Sequence, residues 1–381
     1  MTTIYLIRHA EAEGNLYRRA HGQYDSAITA RGYRQIASLR ERFLNVQIDA
    51  VYASDLFRTR TTAGALTHDR DLAITPMREL REVSIGAWED RPWGELAQFE
   101  YESLARFNTG MIGWKVEGAD TVELVQKRMT EAFWRIAHEN EGKTVAIVSH
   151  GMALRILIGT LQGLSFEEIG KTGHADNTAV TKIEVDGDRA NFIYINDNSH
   201  LKELSTFSRQ SWWKSSRGVD QGIYYAPFDA QRDADFYVEC QREAYVSVNG
   251  GETGFDGEAR LAEARALAQR DERSVMCIFQ EGTHVGLVQF DKTVGEAEGV
   301  GSIDFFYLTP SIRKRGFGIY LVGEAISFYR PRGRERLRVV LDARDEALAA
   351  RFLSYDFEET ARDARTVTLE KYIGFEQRYT F

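Results

Sequence analysis

The sequence predicts an α/β protein of two domains, the first built on a mostly parallel sheet covered by helices. Three observations lead there. A chain of 381 residues is too long for one ordinary core and suits two domains, each able to bury an interior. Strand-like and helix-like patterns alternate through the first half of the chain, the signature of a parallel sheet with helices on its faces. After "NDNSHL" the pattern gives way to the polar, basic stretch "KELSTFSRQSWWKSSRG", and a different order of elements follows. The expected division is a domain over 1–203, a linker over 204–219 that contains Trp212 and Trp213, and a domain over 220–381.

In the first half, "TIYLIRH", "DAVYAS", "TVAIVSH" and "AVTKIEV" read as short strands rich in β-branched residues. "TARGYRQIASLRERFL", "RTRTTAGALTH", "TVELVQKRMTEAFWRIAHE" and "MALRILIGTLQG" carry helical spacing of apolar residues between them. The second half reads as a strand "GIYYAPF", two helices, and a hairpin "SVMCIFQEGTHVGLVQFD" turning at Glu281-Gly282. A strand, a glycine-punctuated turn and a helix come next, then the strand "LRVVLDA" and a last helix. No internal repeat relates the halves. "VNGGETGFDGE" lacks the GK[ST] ending of a P-loop and reads as a connection between helices.

Composition narrows the function. The hydrophobic share of 43% beside 28% charged residues is that of a soluble globular protein, and no apolar run is long enough to span a bilayer. Arg8 arrives before a signal-peptide core could form, so a cytoplasmic location is expected. A net charge of −9 argues against nonspecific nucleic-acid binding. Cys240 and Cys277 are too few for a disulfide framework or thiolate metal site and read as small apolar residues. The eight histidines lack metal-ligand spacing, so no metal is expected. Oligomeric state is not legible.

Ligands of a parallel sheet bind at the carboxyl ends of its strands. Arg8 and His9 end "IYLI", and Ser149-His150-Gly151 ends "TVAIV", so one rim gathers two imidazoles and a guanidinium. Arg58 stands at a helix start, where the helix end adds its own attraction for an anion, and Glu82 lies in the loop "LREVSIGAWED". This set suits a phosphate ester. A neutral imidazole can attack phosphorus and split one displacement into two, a carboxylic acid can protonate the leaving alcohol, and fixed guanidinium forks can hold the transferring oxygens.

These residues carry a resemblance to the histidine phosphatase superfamily, the phosphoglycerate mutase-like family. The ordered motifs are "LIRHAEAEGN", "GQYDSAITARGYRQI", "SDLFRTRTTA", "LREVSIGAWED" and "VSHGMALR", spread over roughly the first 200 residues. The resemblance implies a three-layer α/β/α domain in which His9 is phosphorylated and Glu82 donates the proton. Arg8, Arg58 and His150 would form the phosphate pocket, with Asn15 and Gly151 as further phosphate contacts, acting on a small phosphorylated metabolite. Ala10 replaces the glycine usual after the histidine, and "EGADT" replaces the more usual "GES". The short stretch between Glu82 and His150 favours a phosphatase over a mutase, which carries an insertion there.

In the second half, "IDFFYLTPSIRKRGFGIYLVGEAISFYR" ends a strand, passes two glycines and opens a helix. Backbone amides at such a helix start make an anion nest, to which Arg313, Lys314 and Arg315 add charge. The stretch Arg313-Lys314-Arg315-Gly316-Phe317-Gly318 resembles motif A of the GNAT acetyltransferases, and the element order over 220–381 resembles their α+β fold. The resemblance implies that this turn holds the pyrophosphate of acetyl-CoA, that backbone at Tyr307 and Leu308 flanks the pantetheine arm, and that the acceptor is a small-molecule or peptide amine. Asp304 suits either a base for that amine or an inward-pointing structural carboxylate. The family's acid tyrosine is replaced by Phe352 in "FLSYDF", Asp356 stands at the glycine, and Tyr355 lies nearby out of register. Another acid, water, or CoA binding without turnover remain the alternatives.

Overall fold

The computed structural model describes residues 1–209 and 222–376, so the Trp212-Trp213 pair lies outside the described residues. The chain divides into two compact units. Met1–Arg91 and the described residues of 99–220 and 375–381 form the first; Pro92–Gln98 and those of 221–374 form the second.

The first unit holds β1 (Thr2–Arg8), β2 (Ala50–Ser54), β3 (Ile74–Met77), β4 (Thr144–Ser149), β5 (Val180–Asp186) and β6 (Arg189–Asp197), in the order β3-β2-β4-β1-β5-β6. The pairs β3–β2, β2–β4 and β4–β1 are parallel, while β5 and β6 add an antiparallel hairpin at one side. The helices in chain order are α1 (Glu13–Tyr17), α2 (Ala30–Phe43), α3 (Phe57–Thr67), α4 (Trp93–Phe99), which falls in the second unit except for Phe99, α5 (Tyr101–Asn108), α6 (Val122–Glu139), α7 (Gly151–Leu161), α8 (Phe166–Lys171) and α9 (Thr206–Arg209). On β1, Tyr5 and Ile7 pack with Ile36, Leu39 and Phe43 of α2 and with Ala63 and Leu66 of α3. Ile4 and Leu6 are equally buried, and α6 and α7 contact β1. Both sheet faces are therefore covered, and the strands read as continuous apolar runs because neither side meets water.

Sequence patterning finds β1, β2, β4 and β5 and misses β3 and β6. Pro76 breaks the strand signal of β3, which pairs only with β2, and β6 is an edge strand whose alternate residues, among them Ile193 and Ile195, are exposed. Helix starts follow local chemistry: Thr29 caps α2 through Gly32 N at 3.0 Å, and Ser165 and Glu168 close a capping box on α8.

The second unit contains β7 (Tyr224–Pro227), α10 (Ala234–Asn249), α11 (Gly257–Arg270), β8 (Val275–Gln280), β9 (Thr283–Asp291), β10 (Val300–Leu308), α12 (Gly318–Tyr329), β11 (Arg336–Asp342), α13 (Glu346–Leu353), β12 (Glu358–Arg362) and β13 (Thr366–Tyr372). The sheet order is β12-β13-β11-β10-β9-β8-β7. The hairpin turn has Glu281 at φ 49° and Gly282 at φ 80°, the paired positive values that suit a two-residue connection between twisted strands. Tyr237, Cys240, Ala264 and Leu267 from α10 and α11 pack on one sheet face. On the other, Phe328 of α12 stacks on Phe290, and Phe352 of α13 stacks on Phe306. The closing hairpin β12–β13 is not evident from sequence, because β12 is charged and wholly exposed. "VNGGETGFDGE" joins α10 to α11, as expected.

Candidate functional sites

Strand β1 ends at Arg8 and strand β4 ends one residue before His150, and the two strands pair in register from Thr3↔Thr144 to Arg8↔Ser149. Adjacent parallel strands thus deliver His9 and His150 side by side, with ring centroids 5.3 Å apart. His9 is 6% exposed and His150 is fully buried.

His9 Nδ1 lies 2.7 Å from the carbonyl oxygen of Ala10. A carbonyl only accepts, so Nδ1 carries the proton and Nε2 is left with its lone pair. Burial, followed by the charges of Arg58 and Arg8, holds the His9 imidazole well below its ordinary pKa, so it is neutral near pH 7. The same causes, burial first and then Arg58 and His9, push His150 down. Neither ring nitrogen of His150 has a hydrogen-bond partner among the described residues, nor does buried Nε of Arg8. Unpaired buried polar groups of this kind are costly in a resting fold, and the N–H groups among them are useful to an incoming oxyanion.

The guanidiniums are aimed by backbone. Arg8 Nη1 donates to Ala175 O at 2.5 Å, and Arg58 donates to Gly22 O at 2.6 Å and Tyr24 O at 2.9 Å. Thr62 on α3 donates to Arg58 O and accepts from Ala10 N, tying the arginine's helix to the loop after His9. Asn15 Oδ1 accepts from Ala12 N at 3.1 Å, which holds its amide over the same loop. Gly151 is the first residue of α7, and a Cβ there would stand 3.2 Å from Arg8 Nε.

Glu82 reaches the start of α7 from its loop. Its oxygens accept from Met152 N at 3.0 Å, Ala153 N at 2.8 Å and Val83 N at 3.0 Å. Three amides fill three of the carboxylate's four acceptor positions, and Oε2, with one amide, keeps one for a proton. All seven first-half residues singled out from sequence therefore belong to one rim of the first unit.

Several supporting residues carry no sequence signal. Arg128 on α6 donates to Glu79 O, Arg81 O and Glu82 O at 2.5–2.8 Å and so fixes the Glu82 backbone. Glu89 accepts from the amides of Gly22, Gln23 and Tyr24 at 2.7–3.0 Å and of Ile85 at 3.3 Å, shaping the loop whose carbonyls Arg58 grips. Asn177 Nδ2 donates to His9 O at 2.9 Å. Only Glu89 lies inside a motif quoted above, and nothing local in the others marks them.

In the second unit, β10 pairs with β11 only from Val300↔Arg336 to Ile303↔Val339, and a register shift follows at Asp304. Beyond it β10 stays paired to β9 as far as Leu308, so the strand's other edge is left without its sheet neighbour over 304–308. The turn after β10 has Lys314 at φ 63° and Gly316 at φ 90°, and α12 begins at Gly318. Alternating backbone of this type turns successive amides toward one spot, and Gly316 supplies a conformation that side chains resist. These features fit an extended thioester ligand with a pyrophosphate: a strand edge for the arm and a nest for the anion.

Arg315 and Lys314 are exposed at this turn, with Arg315 over the Phe317 ring at 5.3 Å. Arg313 is engaged elsewhere, donating to Leu308 O at 2.7 Å and Glu243 at 3.2 Å while Tyr307 donates to the same carboxylate. Its place in the geometry is as a brace between α10 and the end of β10. Phe352 is 2% exposed inside the aromatic layer. The hydroxyl of Tyr355, by contrast, would lie 2.3 Å from a Cβ at Gly318, so sequence register hides a tyrosine that reaches the helix start. Asp304 accepts from Ser302 at 2.7 Å; it is exposed on β10, and the surrounding chain, with Asp291 and Glu263 nearby, pushes its pKa up.

Among the described residues, Asp233, Cys277 and His284 form the one group of metal-ligand types close enough to share an ion. Asp233 already accepts from Arg232 at 2.7 and 2.8 Å, His284 at 2.9 Å and Asp229 N at 2.8 Å, so it braces the start of α10. Cys277 lies buried in the apolar cluster of this sheet face, as expected, with its thiol beside this carboxylate. No helix among the described residues is long and apolar enough to cross a membrane.

Comparison with known proteins agrees with the geometry. Residues 4–198 match the sequence model of the histidine phosphatase superfamily (branch 1), and residues 236–354 match that of the acetyltransferase (GNAT) family. A Yersinia pestis protein named "Probable phosphoglycerate mutase GpmB" is 34% identical over 164 residues, 43% of this chain and 76% of its own length. A Hydrogenobacter thermophilus protein, provisionally named phosphoserine phosphatase 2, is 25% identical over 205 residues, 54% of this chain and 100% of its own. The solved structure of Bacillus stearothermophilus YhfR is similar with a TM-score of 0.51 at 31% identity, covering 53% of this chain and 100% of that one. The chain belongs to the histidine phosphatase superfamily and joins that domain to a GNAT-family domain in one polypeptide.

Proposed function

We propose that the chain is a bifunctional enzyme: a phosphomonoesterase over 1–203 and, beyond a linker at 204–219, an acetyl-CoA-dependent N-acetyltransferase over 220–381. The observation that supports the first activity is the His9 Nδ1 to Ala10 O bond, which leaves on Nε2 the lone pair a nucleophile needs. In the first step Nε2 bonds to phosphorus as the ester P–O bond breaks, and the leaving alkoxide takes a proton from Glu82. Arg8, Arg58 and His150 hold the equatorial oxygens, with the Asn15 amide and the Gly151 amide as further donors. Water then attacks the phosphohistidine, Glu82 takes its proton, and orthophosphate leaves a neutral His9. The substrate is a small phosphorylated metabolite, and the chemistry calls for no metal.

His9→Ala is expected to abolish orthophosphate release from p-nitrophenyl phosphate in the full-length protein. Retention of more than about a tenth of the wild-type rate would remove the assignment, because a missing nucleophile has no substitute in this mechanism. The similarity to proteins named as mutases keeps phosphotransfer as a second reading. It predicts a second phosphorylated metabolite in place of free orthophosphate.

For the second domain, acetyl-CoA would lie along 304–308 with its pyrophosphate on the turn of Arg313, Lys314, Arg315, Gly316, Phe317 and Gly318, Leu308 flanking the arm. The thioester supplies the activated acetyl group. Asp304 stands at the register shift, where it can take a proton from a small-molecule or peptide amine. Gly316→Glu is expected to abolish saturable acetyl-CoA binding by calorimetry, and undiminished binding would refute the placement. Binding without turnover across an amine panel would recast this domain as a CoA-responsive module, the reading that buried Phe352 favours.

A further inference from the structure

The first unit does not end with its last strand. β6 stops at Asp197, yet Leu201 and Thr206 are each 1% exposed, and the chain over 204–206 enters a buried polar network beneath the His9 loop. Leu204 O accepts from Gln35 Nε2 at 2.8 Å, and the same Nε2 donates to Thr206 Oγ1 at 3.0 Å. Thr206 Oγ1 in turn donates to Glu11 Oε2 at 3.4 Å, while Glu11 Oε1 accepts from Thr29 at 2.7 Å and Glu11 N donates to Gln35 Oε1 at 2.8 Å. Glu11 is two residues past His9 and 1% exposed.

The backbone of the same residue reaches the other flank of the site. Thr206 N donates to Asp176 Oδ1 at 3.1 Å, and Ser205 Oγ donates to Asp176 Oδ2 at 2.5 Å. Asp176 also accepts from Asn177 N at 2.9 Å and Asn198 Nδ2 at 3.2 Å, and its charge bears on Arg8. The turn it organises supplies Ala175 O to Arg8, Asn177 Nδ2 to His9 O, and Thr178 N to Arg8 O at 3.1 Å. Thr206 therefore touches, by side chain and by backbone, the two buried carboxylates that hold the loop after His9 and the turn around Arg8.

We infer that Thr206 is a positioning residue of the phosphate site, and that the segment 204–206, the first stretch of chain leading toward the GNAT-family domain, completes the catalytic geometry of the first. The inference rests on the phosphatase reading for its meaning but not for its measurement. A domain cut at 203 would lose the contacts, whereas one cut after 209 keeps them. Glu11 and Asp176 are buried acids whose remaining hydrogen-bond donors come from other parts of the first unit, so each depends on this segment to complete its shell.

The test uses the full-length chain with Thr206→Val, which keeps the shape and removes the hydroxyl, beside Thr206→Ser, which restores it. Calorimetry with inorganic phosphate reads the placement of Arg8 without turnover. The dissociation constant is expected to rise about fivefold in T206V and kcat for p-nitrophenyl phosphate to fall about tenfold, since small displacements at a reacting centre cost such factors. T206S is expected to recover most of both. Should T206V not fold cooperatively, Ser205→Ala decides in its place: a rise in the phosphate dissociation constant of about threefold, the scale of one lost hydrogen bond, supports the inference. Wild-type binding and turnover in T206V, equal losses in T206S and T206V, or no change in S205A where that variant decides, would overturn it. A wild-type chain that binds phosphate without hydrolysing it would remove the phosphatase reading and leave the positioning role standing.

Discussion

On the proposed reading the His9 site and the turn after β10 both meet phosphate groups, and they would do so in opposite ways. At the first, histidine and arginine side chains are buried, and the guanidiniums are aimed by the carbonyls of Gly22, Tyr24 and Ala175. At the second, the basic side chains are exposed and the backbone itself is shaped, through Lys314 and Gly316 at positive φ. A site that must stabilise charge developing on phosphorus benefits from groups fixed before the substrate arrives. A site that only has to hold a ligand can leave its side chains in water and rely on amides at a helix start.

That contrast can be broken first at Arg58. Arg58→Ala removes a guanidinium the backbone has pre-aimed, and kcat/KM for p-nitrophenyl phosphate is expected to fall about 10²–10³-fold. By contrast, Lys314→Ala at the open turn should weaken acetyl-CoA binding by no more than about fivefold, in line with exposed charge pairs. Comparable losses in the two variants would show that the sites do not differ in this way. Gly318 sharpens the point: a Cβ there meets the Tyr355 hydroxyl at 2.3 Å and its ring carbon at 3.4 Å. Gly318→Ala is expected to weaken acetyl-CoA binding about tenfold, and the double variant with Tyr355→Phe to recover most of it, because only the hydroxyl clashes. Absence of rescue would place the glycine's requirement in the backbone instead.

The smallest effect is one of acidity. His9 and His150 have lowered pKa values in the fold, so the unfolded chain binds more protons once the pH drops below about 6.5. Stability is thus complete above that pH and is lost on acidification, by up to about 1.4 kcal/mol per pH unit for each histidine. The groups facing these rings are Arg8, Arg58, Arg128 and His21, and all the named charges oppose protonation. Thermal scans between pH 7 and 5 should show the midpoint falling, and His150→Gln should make the decline shallower. An unchanged slope in that variant would count against a neutral buried imidazole.

Sequence revealed what is local. Arg8, His9, His150 and Gly151 were readable because strand ends are readable, and parallel register then brings them together. Arg58 and Glu82 were readable from a helix start and a loop, with the family motifs supplying their roles. Arg128, Asp176 and Thr206 were not, since their work is done on residues far along the chain whose nearness only the fold creates. β6 and β12 were lost for a related reason: an edge strand needs apolar residues on at most one face, so its pattern fades into that of a loop. Tyr355 shows the converse, since counting residues from a motif sets it out of register while the fold brings its hydroxyl to the start of α12.

Glu89 has a consequence for how this domain can change over generations. One carboxylate holds the amides of Gly22, Gln23 and Tyr24 while Arg58 holds carbonyls of the same stretch, so the loop is clasped from both sides by opposite charges. Neither clasp touches the side chains at 23 and 24, which are held by other contacts: Gln23 Nε2 donates to Glu82 O at 3.1 Å, and the Tyr24 ring lies 4.8 Å from that of His21. Insertion or deletion within 22–24 is not tolerable, because it would shift the register of every clasped group at once. Changes of chain length in this domain are thereby steered toward other loops.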